Sequence, residues 1–325
     1  MLTRTSVEFC AGAGGQALGL EQAGFNHKLL VDNDADCVRT LSHNRPNWRA
    51  ICADMNGFVL PEVGPVDLFS GGLPCPPFSI AGKQLGERDE RNLFPAALSL
   101  IEQLQPKFVL IENVRGFLSR SFGDYRDALR ASFSGLGYSV DWRLYNAADF
   151  GVPQSRSRVT IVAARHELWP FFDFPAPVGV NHVSVADAIG DLLGSEGWEG
   201  VETWRSQATA VAPTIVGGSK KHGGPDLGPT RARAAWKKMG VNGGSIAPHP
   251  PERGFEGLPR LTNRMVARLQ GFPDDWHFTG SKTAAYRQIG NAFPPPVARA
   301  IGLAIMEALT ESELASRVPK TVAAE

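Results

Sequence analysis

A cysteine stands among prolines in Pro74-Cys75-Pro76-Pro77, at the end of the run Val66-Asp67-Leu68-Phe69-Ser70-Gly71-Gly72-Leu73. Each proline fixes φ and removes a backbone donor, so the chain around the sulfur is stiff. The apolar run reads as a buried strand that the two glycines open into a loop. A thiol held at a strand's C-terminal end sits where open α/β sheets bind their ligands. That is the position of a nucleophile.

Other segments place chemistry at similar points. In Val109-Leu110-Ile111-Glu112-Asn113-Val114 the first polar side chain is Glu112, at the end of an apolar strand. An isolated glutamate there is more often a cap or a surface charge. Arg156 and Arg158 fall at i and i+2, which predicts one face of a strand, and alone would read as a solvated edge. The run Val7-Glu8-Phe9-Cys10-Ala11-Gly12-Ala13-Gly14-Gly15 reads as strand, tight turn and helix start, a shape that lets backbone N–H groups approach a ligand. Its spacing is not the G-x-G-x-x-G of nicotinamide enzymes, which lowers that option. Asp32 and Asp54 end the next two strands. They suit a ribose diol and an adenine amino group, although each alone could be a helix N-cap. Together with the glycine loop they point to a nucleoside site.

These residues need a sheet whose strand ends converge. Apolar runs predict strands at Ser6–Cys10, Lys28–Asp32, Ala50–Ala53, Val66–Phe69, Phe108–Glu112, Ser139–Asn146 and Arg158–Ala163. Amphipathic patterns predict helices at Gly15–Ala23, Ala35–His43, Leu93–Leu104, Tyr125–Leu136 and Val297–Leu309. Such alternation implies an α/β fold with a mostly parallel sheet covered on both faces. From Pro175 to about Pro259 glycine and proline are dense and periodicity is weak, which predicts a smaller, loop-rich second domain. The closing helix is expected to fold back onto the first domain, and Thr310–Glu325 reads as a frayed tail.

At 325 residues and 43% hydrophobic content the chain can bury one large core or two unequal ones. Its net charge of zero gives no global reason to expect a polyanionic partner. The four cysteines Cys10, Cys37, Cys52 and Cys75 show neither C-x-x-C nor zinc spacing, so free thiols and no metal are expected. The N-terminus carries no signal peptide, and no apolar stretch reaches the roughly 20 residues of a membrane span. A soluble cytoplasmic protein is the expectation.

In order along the chain, the glycine loop, G-G-L-P-C-P-P-F-S, E-N-V, N-A-A-D-F-G-V-P-Q-S-R-S-R, R-L-T-N-R-M-V-A-R-L-Q-G-F-P and Q-I-G-N-A-F-P-P-P resemble the motifs of the DNA cytosine-5 methyltransferases. The resemblance covers nearly the whole chain. It implies a Rossmann-like doubly wound sheet that binds S-adenosylmethionine, with residues 1–178 plus 284–312 forming the catalytic domain. Residues 179–283 would form a target-recognition domain and hinge, and 313–325 a disordered tail. By the same matching Cys75 is the nucleophile toward cytosine C6, and Glu112 holds N3 and the exocyclic amine. Arg158 is expected at O2, with Arg156 shaping the same pocket. Gly12, Gly14 and Gly15 would cradle the methionine part of the cofactor, Asp32 the ribose and Asp54 the adenine, with Leu93 and Asn291 completing the pocket. Because C6 cannot be reached inside a duplex, the base must be flipped out. Pro77–Phe94, with Ser79 and Arg91, matches the loop that closes over it. The chain departs from the family at Phe9-Cys10, where Leu-Phe is usual, at Leu73 and Pro76 around the nucleophile, and at Arg264-Met265.

Between Arg205 and Lys238 the charge is +6, with Asp226 the single carboxylate. In isolation such a run is a solvated face, but within a recognition segment it suits phosphate contact. Ser79, Arg91, Lys220, Lys221, Arg231 and Arg233 are the candidate DNA contacts. The expected partner is double-stranded DNA, with a cognate restriction endonuclease acting on the same sequence without a stable complex. A monomer is expected. Three rivals carry less: the tRNA branch of the family, an inactive DNA-binding relative, and a dinucleotide oxidoreductase. The tRNA branch's Pro-Pro-Cys-Gln and late Cys-Phe-Thr are absent, and Cys75, Glu112 and Arg158 are all present.

Overall fold

A computed structural model of the chain describes residues 3–74, 92–177, 181–218 and 224–317. Among them the strands are β1 (Arg4–Phe9), β2 (Phe25–Asp32), β3 (Ala50–Cys52), β4 (Leu68–Gly72), β5 (Phe108–Val114), β6 (Tyr138–Asn146) and β7 (Ser157–Arg165). They form one sheet in the order β3-β2-β1-β4-β5-β7-β6. Each occupies a segment that the apolar runs predict. Only β7 runs against the others, pairing antiparallel with both β5 and β6. The link from β6 to β7 is too short for the helical crossover that parallel neighbours require, so the chain must turn back.

The sheet is covered on both faces, as its sequence pattern implies. Val109 and Ile111 of β5 join a cluster with Val7, Phe9, Phe69 and the helices α3 (Phe94–Leu104) and α4 (Gly123–Gly135). Phe108 and Leu110 point the other way, into a cluster with α1 (Gly15–Ala23) and α10 (Pro295–Arg317). Alternation along one buried strand thus feeds two apolar layers. The closing helix α10 packs along α1, with Leu20 and Ala23 in the same cluster as Ala298, Ile301 and Ile305.

Two expectations are corrected. The tail does not begin at Thr310, because α10 continues through Arg317 and its Glu313 accepts from Arg4 Nη1 at 2.7 Å. The loop-rich region also contains regular structure, α5 (Val185–Leu193), α6 (Val201–Gln207) and α7 (Thr230–Lys238); α8 (Asn263–Leu269) and α9 (Lys282–Asn291) follow it, and α2 (Ala35–Asn44) lies earlier in the chain. These helices run only two or three turns, too short for a periodicity window, and hydroxyl caps at Ser184, Thr262 and Ser281 start three of them. Their apolar faces meet Trp204, Trp236 and Trp276 in a cluster continuous with Leu18 of α1 and Leu41 of α2.

Candidate active site

The C-terminal ends of β1, β2, β4 and β5 open onto a cavity of about 660 Å³. Its lining includes Cys10, Gly12 and Gly15 after β1, Asp32 at the end of β2, Asp54 beyond β3, Gly72 and Pro74 after β4, and Glu112 on β5. Leu93 and Asn291 complete the wall, so most residues that the sequence assigns to a cofactor lie around one space. Strand order reverses at β1, between β2 and β4, where an open sheet leaves such a crevice.

The loop after β1 is shaped by its glycines and by Asp32. Gly12 N donates to Asp32 Oδ2 at 2.7 Å, and Asp34 N donates to Oδ1 at 2.8 Å. A side chain on Gly15 would place its Cβ 2.2 Å from Phe293 O, so only hydrogen lets α1 begin this close to the 292–293 segment. Gly14 shapes the turn itself. With φ of 85° it caps α1 in the left-handed region, and a Cβ there would strike Leu41 and Trp276. Cys10 is also left-handed, at φ 52°, and its thiol borders the cavity. Burial, and then the carboxylates of Asp32 and Asp54, push that thiol up to about 12, so it stays protonated and unreactive.

Arg158 and Glu112 form the second part of the site. Arg158 lies opposite Val114 and Glu112 opposite Thr160 in the β5–β7 register, which makes the two side chains diagonal neighbours on one face. Arg158 Nε lies 2.7 Å from Glu112 Oε1 in an ion pair, with side chains only 16% and 12% exposed. Asn113 turns its amide to Leu73 O at 3.3 Å and ties the end of β5 to the start of the proline loop. Pro74 lines the cavity and is covalently joined to Cys75, which lies outside the described residues together with Ser79, Arg91, Lys220 and Lys221.

Arg156 is corrected. It precedes β7 instead of sharing its face with Arg158, and its guanidinium is turned away into the protein. Nη1 donates to Ile215 O at 2.7 Å, and Nη2 donates to Gly290 O at 2.9 Å and Ala292 O at 3.0 Å. Gln154 reinforces the junction: its amide donates to Gln270 Oε1 at 2.6 Å and its carbonyl accepts from Ile215 N at 2.9 Å. Burial, followed by the like charge of Arg158, pulls the Arg156 pKa well below the usual arginine value. Arg156 therefore clasps the start of the variable region and the end of α9 to the base of β7.

Glu8, Gln16 and Arg287 are among the cavity residues that escaped the sequence reading. Glu8 and Gln16 line the floor, and Arg287 of α9 donates to Asp34 Oδ2 at 3.2 Å within the same lining. Glu8 carried a legible signal, a charged residue between Val7 and Phe9 in a buried strand. On α7, Arg231 and Arg233 are exposed beside Lys237 and Lys238, while Trp236 anchors the helix; none of these cations has an ion-pair partner among the described residues.

Residues 4–307 match the family model for C-5 cytosine-specific DNA methylases. The chain belongs to that family. Among curated relatives it is 50% identical to the type II methyltransferase M.NaeI of Lentzea aerocolonigenes over 93% of this chain and 75% of that one. It is 47% identical to M.NgoMIV of Neisseria gonorrhoeae over 94% of this chain and 98% of the relative. A DNA modification methyltransferase encoded within an E. coli prophage shares the fold at a TM-score of 0.67 and 23% identity, covering 94% of this chain and 99% of its own. As a C-5 cytosine-specific DNA methylase the protein is a DNA cytosine-5 methyltransferase, and its methyl donor is S-adenosylmethionine.

The cavity fits that donor. The bare backbone at Gly12 and Gly15 leaves room at the first turn of α1, Asp32 and Asp54 offer carboxylates, and the buried amide of Gln16 has no hydrogen-bond partner of ordinary geometry among the described residues. No group of histidine, cysteine and carboxylate side chains that could hold a metal occurs among the described residues, nor does any helix long and apolar enough to cross a membrane.

Proposed function

We propose that the methylase acts on a cytosine flipped from a short, specific duplex sequence, with Cys75 as nucleophile, Glu112 as the acid at N3 and Arg158 as the donor to O2. The observation that carries this reading is the Arg158–Glu112 pair at 2.7 Å, whose Glu112 lines the same cavity that Pro74 borders. The Cys75 thiolate adds to C6, and Glu112 protonates N3, so that the electron pair collects at C5 instead of on the ring nitrogen. C5 then accepts the methyl group that S-adenosylmethionine supplies. Loss of the C5 proton to solvent, return of the N3 proton to Glu112 and expulsion of the Cys75 thiolate restore the C5–C6 double bond and the acid. Arg158 keeps the Glu112 carboxyl turned toward the ring and provides the positive field that favours thiolate.

Gly12 and Gly15 would hold the amino-acid part of the donor, Asp32 its ribose and Asp54 its adenine, with Leu93 and Asn291 closing the wall. Residues 179–283 form the reading unit, in which the exposed cations of α7 face phosphate. A cognate endonuclease cutting the same sequence, a cytoplasmic location at the nucleoid and a monomeric state complete the proposal. A tRNA substrate is the weaker reading, because the similar relatives are named type II methyltransferases and the family is one of DNA methylases.

The test is transfer of labelled methyl from S-adenosylmethionine to duplex DNA and to tRNA. Label on DNA that vanishes in Cys75→Ser is expected, together with a covalent adduct on a 5-fluorocytosine duplex. Label on tRNA alone would overturn the substrate, and an active Cys75→Ser protein would overturn the nucleophile.

A further inference from the structure

Glu8 and Gln16 are the part of the cavity that the motif assignments leave unused. Glu8 is 1% exposed on β1 and Gln16 is 3% exposed on the first turn of α1, yet both line the cavity. Ser70 of β4 donates its hydroxyl to Glu8 Oε2 at 3.2 Å. The groups that face this carboxyl from each packed element are Asp32 at the end of β2, Ser70 of β4, Cys10 after β1, and the Gln16 amide and Ala17 N–H of α1. Asp54, Glu112 and Arg287 line other parts of the cavity, and Arg287 is engaged with Asp34. Glu8 has no ion pair among the described residues, and its one charged neighbour, Asp32, has its own sign. The Gln16 amide is near enough to moderate the carboxyl, but neither of its polar atoms makes a hydrogen bond of ordinary geometry.

Such an arrangement is incomplete without a ligand. A buried carboxylate beside another carboxylate is costly when charged, and a buried amide without partners is costly in any state. A cation in the cavity relieves the first cost, and a polar ligand relieves the second. S-adenosylmethionine carries a sulfonium and an α-ammonium against one carboxylate. Its demethylated product, S-adenosylhomocysteine, keeps only the ammonium.

We propose that Glu8 and Gln16 form the receptor for the cationic end of the methyl donor, and that Glu8 releases its proton to solvent when that charge arrives. This rests on the cavity being the donor site. Before that charge arrives, burial, reinforced by Asp32, lifts the Glu8 carboxyl to about 8, so it is mostly protonated at neutral pH. The bound cation stabilises the carboxylate, the O–H electron pair stays on Glu8, and the proton passes to buffer. Donor affinity therefore rises with pH up to about 8 and then levels. Because methyl transfer removes the sulfonium charge, Glu8 takes up a proton on the product side, which weakens the hold on product relative to donor.

Calorimetric titration of the full-length protein with each ligand, at pH 7 in two buffers of different ionisation enthalpy, tests the linkage. For the wild type about 0.9 proton released per donor is the expected upper value, with fewer released per product molecule. Glu8→Gln, a neutral isostere, should remove the difference between buffers beyond the ligand's own contribution, and it should lose the pH dependence of donor affinity. Gln16→Leu should weaken donor binding about ten-fold at an unchanged proton count, as expected for one lost polar contact. Equal heats in both buffers for the wild type, or identical proton counts in wild type and Glu8→Gln, would overturn the linkage while leaving the donor site standing. Unchanged donor affinity in Gln16→Leu would remove Gln16 from the receptor. A wild-type protein that binds no donor at all would instead sink the underlying assignment and the linkage with it.

Discussion

Glu112 and Arg158 touch at 2.7 Å because β5 and β7 run antiparallel with Val114 opposite Arg158. Had β7 run parallel like the other neighbours of the sheet, the strand end that carries Arg158 would lie at the opposite edge from Glu112. The one reversed strand is thus what assembles this ion pair.

Glu112→Gln keeps shape and hydrogen bonding but cannot deliver a proton to N3. It is expected to lower kcat by about 10²–10⁴-fold. Arg158→Ala should give a loss of similar size and leave the donor Kd unchanged, since Arg158 is not among the residues lining the cofactor cavity. Single-turnover methyl transfer paired with donor titration checks both. A donor affinity that falls in step with kcat would contradict the division of the site.

Arg156 is predicted to act through packing. Arg156→Leu leaves the carbonyls of Ile215, Gly290 and Ala292 without their buried donor, which should cost about 3 kcal/mol or more. Urea unfolding measures this, and a stable Arg156→Leu protein with a depressed kcat would restore the arginine to the chemistry.

The stability of the ligand-free protein should fall as pH rises from 7 to about 8. Glu8 is raised from 4.5 to about 8 in the folded chain, so the folded state holds a proton that the unfolded state has lost, and rising pH removes that advantage. The loss is about 1 kcal/mol across this interval. His27 does not confuse the window, because burial lowers it to about 4 and its own contribution is lost only toward acid. Thermal melts from pH 7 to 8 should slope downward for the wild type, ahead of the range in which the raised thiols of Cys10 and Cys37 add their own decline. Glu8→Gln should flatten that slope, and an unchanged slope would exclude Glu8 as its source.

Arg231 and Arg233 sit exposed on α7 without carboxylate partners among the described residues. If they meet phosphate, each alanine substitution should weaken DNA binding across sequences and reduce the salt slope by about 1. Loss confined to one DNA sequence would show instead that the side chain reads a base.

Much of the site was legible from residue types because its markers sit where regular patterns break. Glu112 and Asp32 end apolar strands, and the glycines interrupt the start of α1. The helices between Val185 and Asn291 were hidden for the converse reason. Each is shorter than the window in which periodicity shows, and their stability comes from a shared tryptophan-rich cluster. Arg156 misled because i, i+2 spacing implies a common face only inside a strand, and β7 begins one residue later, at Ser157.

By itself the sequence determined the strands, the sheet class, the family motifs and the kinds of side chain available, since local polarity and backbone restriction are written residue by residue. The tertiary structure decided which of those side chains share a space. It set Arg158 on Glu112 and turned Arg156 onto backbone carbonyls. It drew Gly14 back against Leu41 and Trp276, and it left Glu8 and Gln16 buried on the cavity floor. Those outcomes depend on strand direction and long-range packing, so a charge's partners and its cost of burial are set by residues far away in the chain.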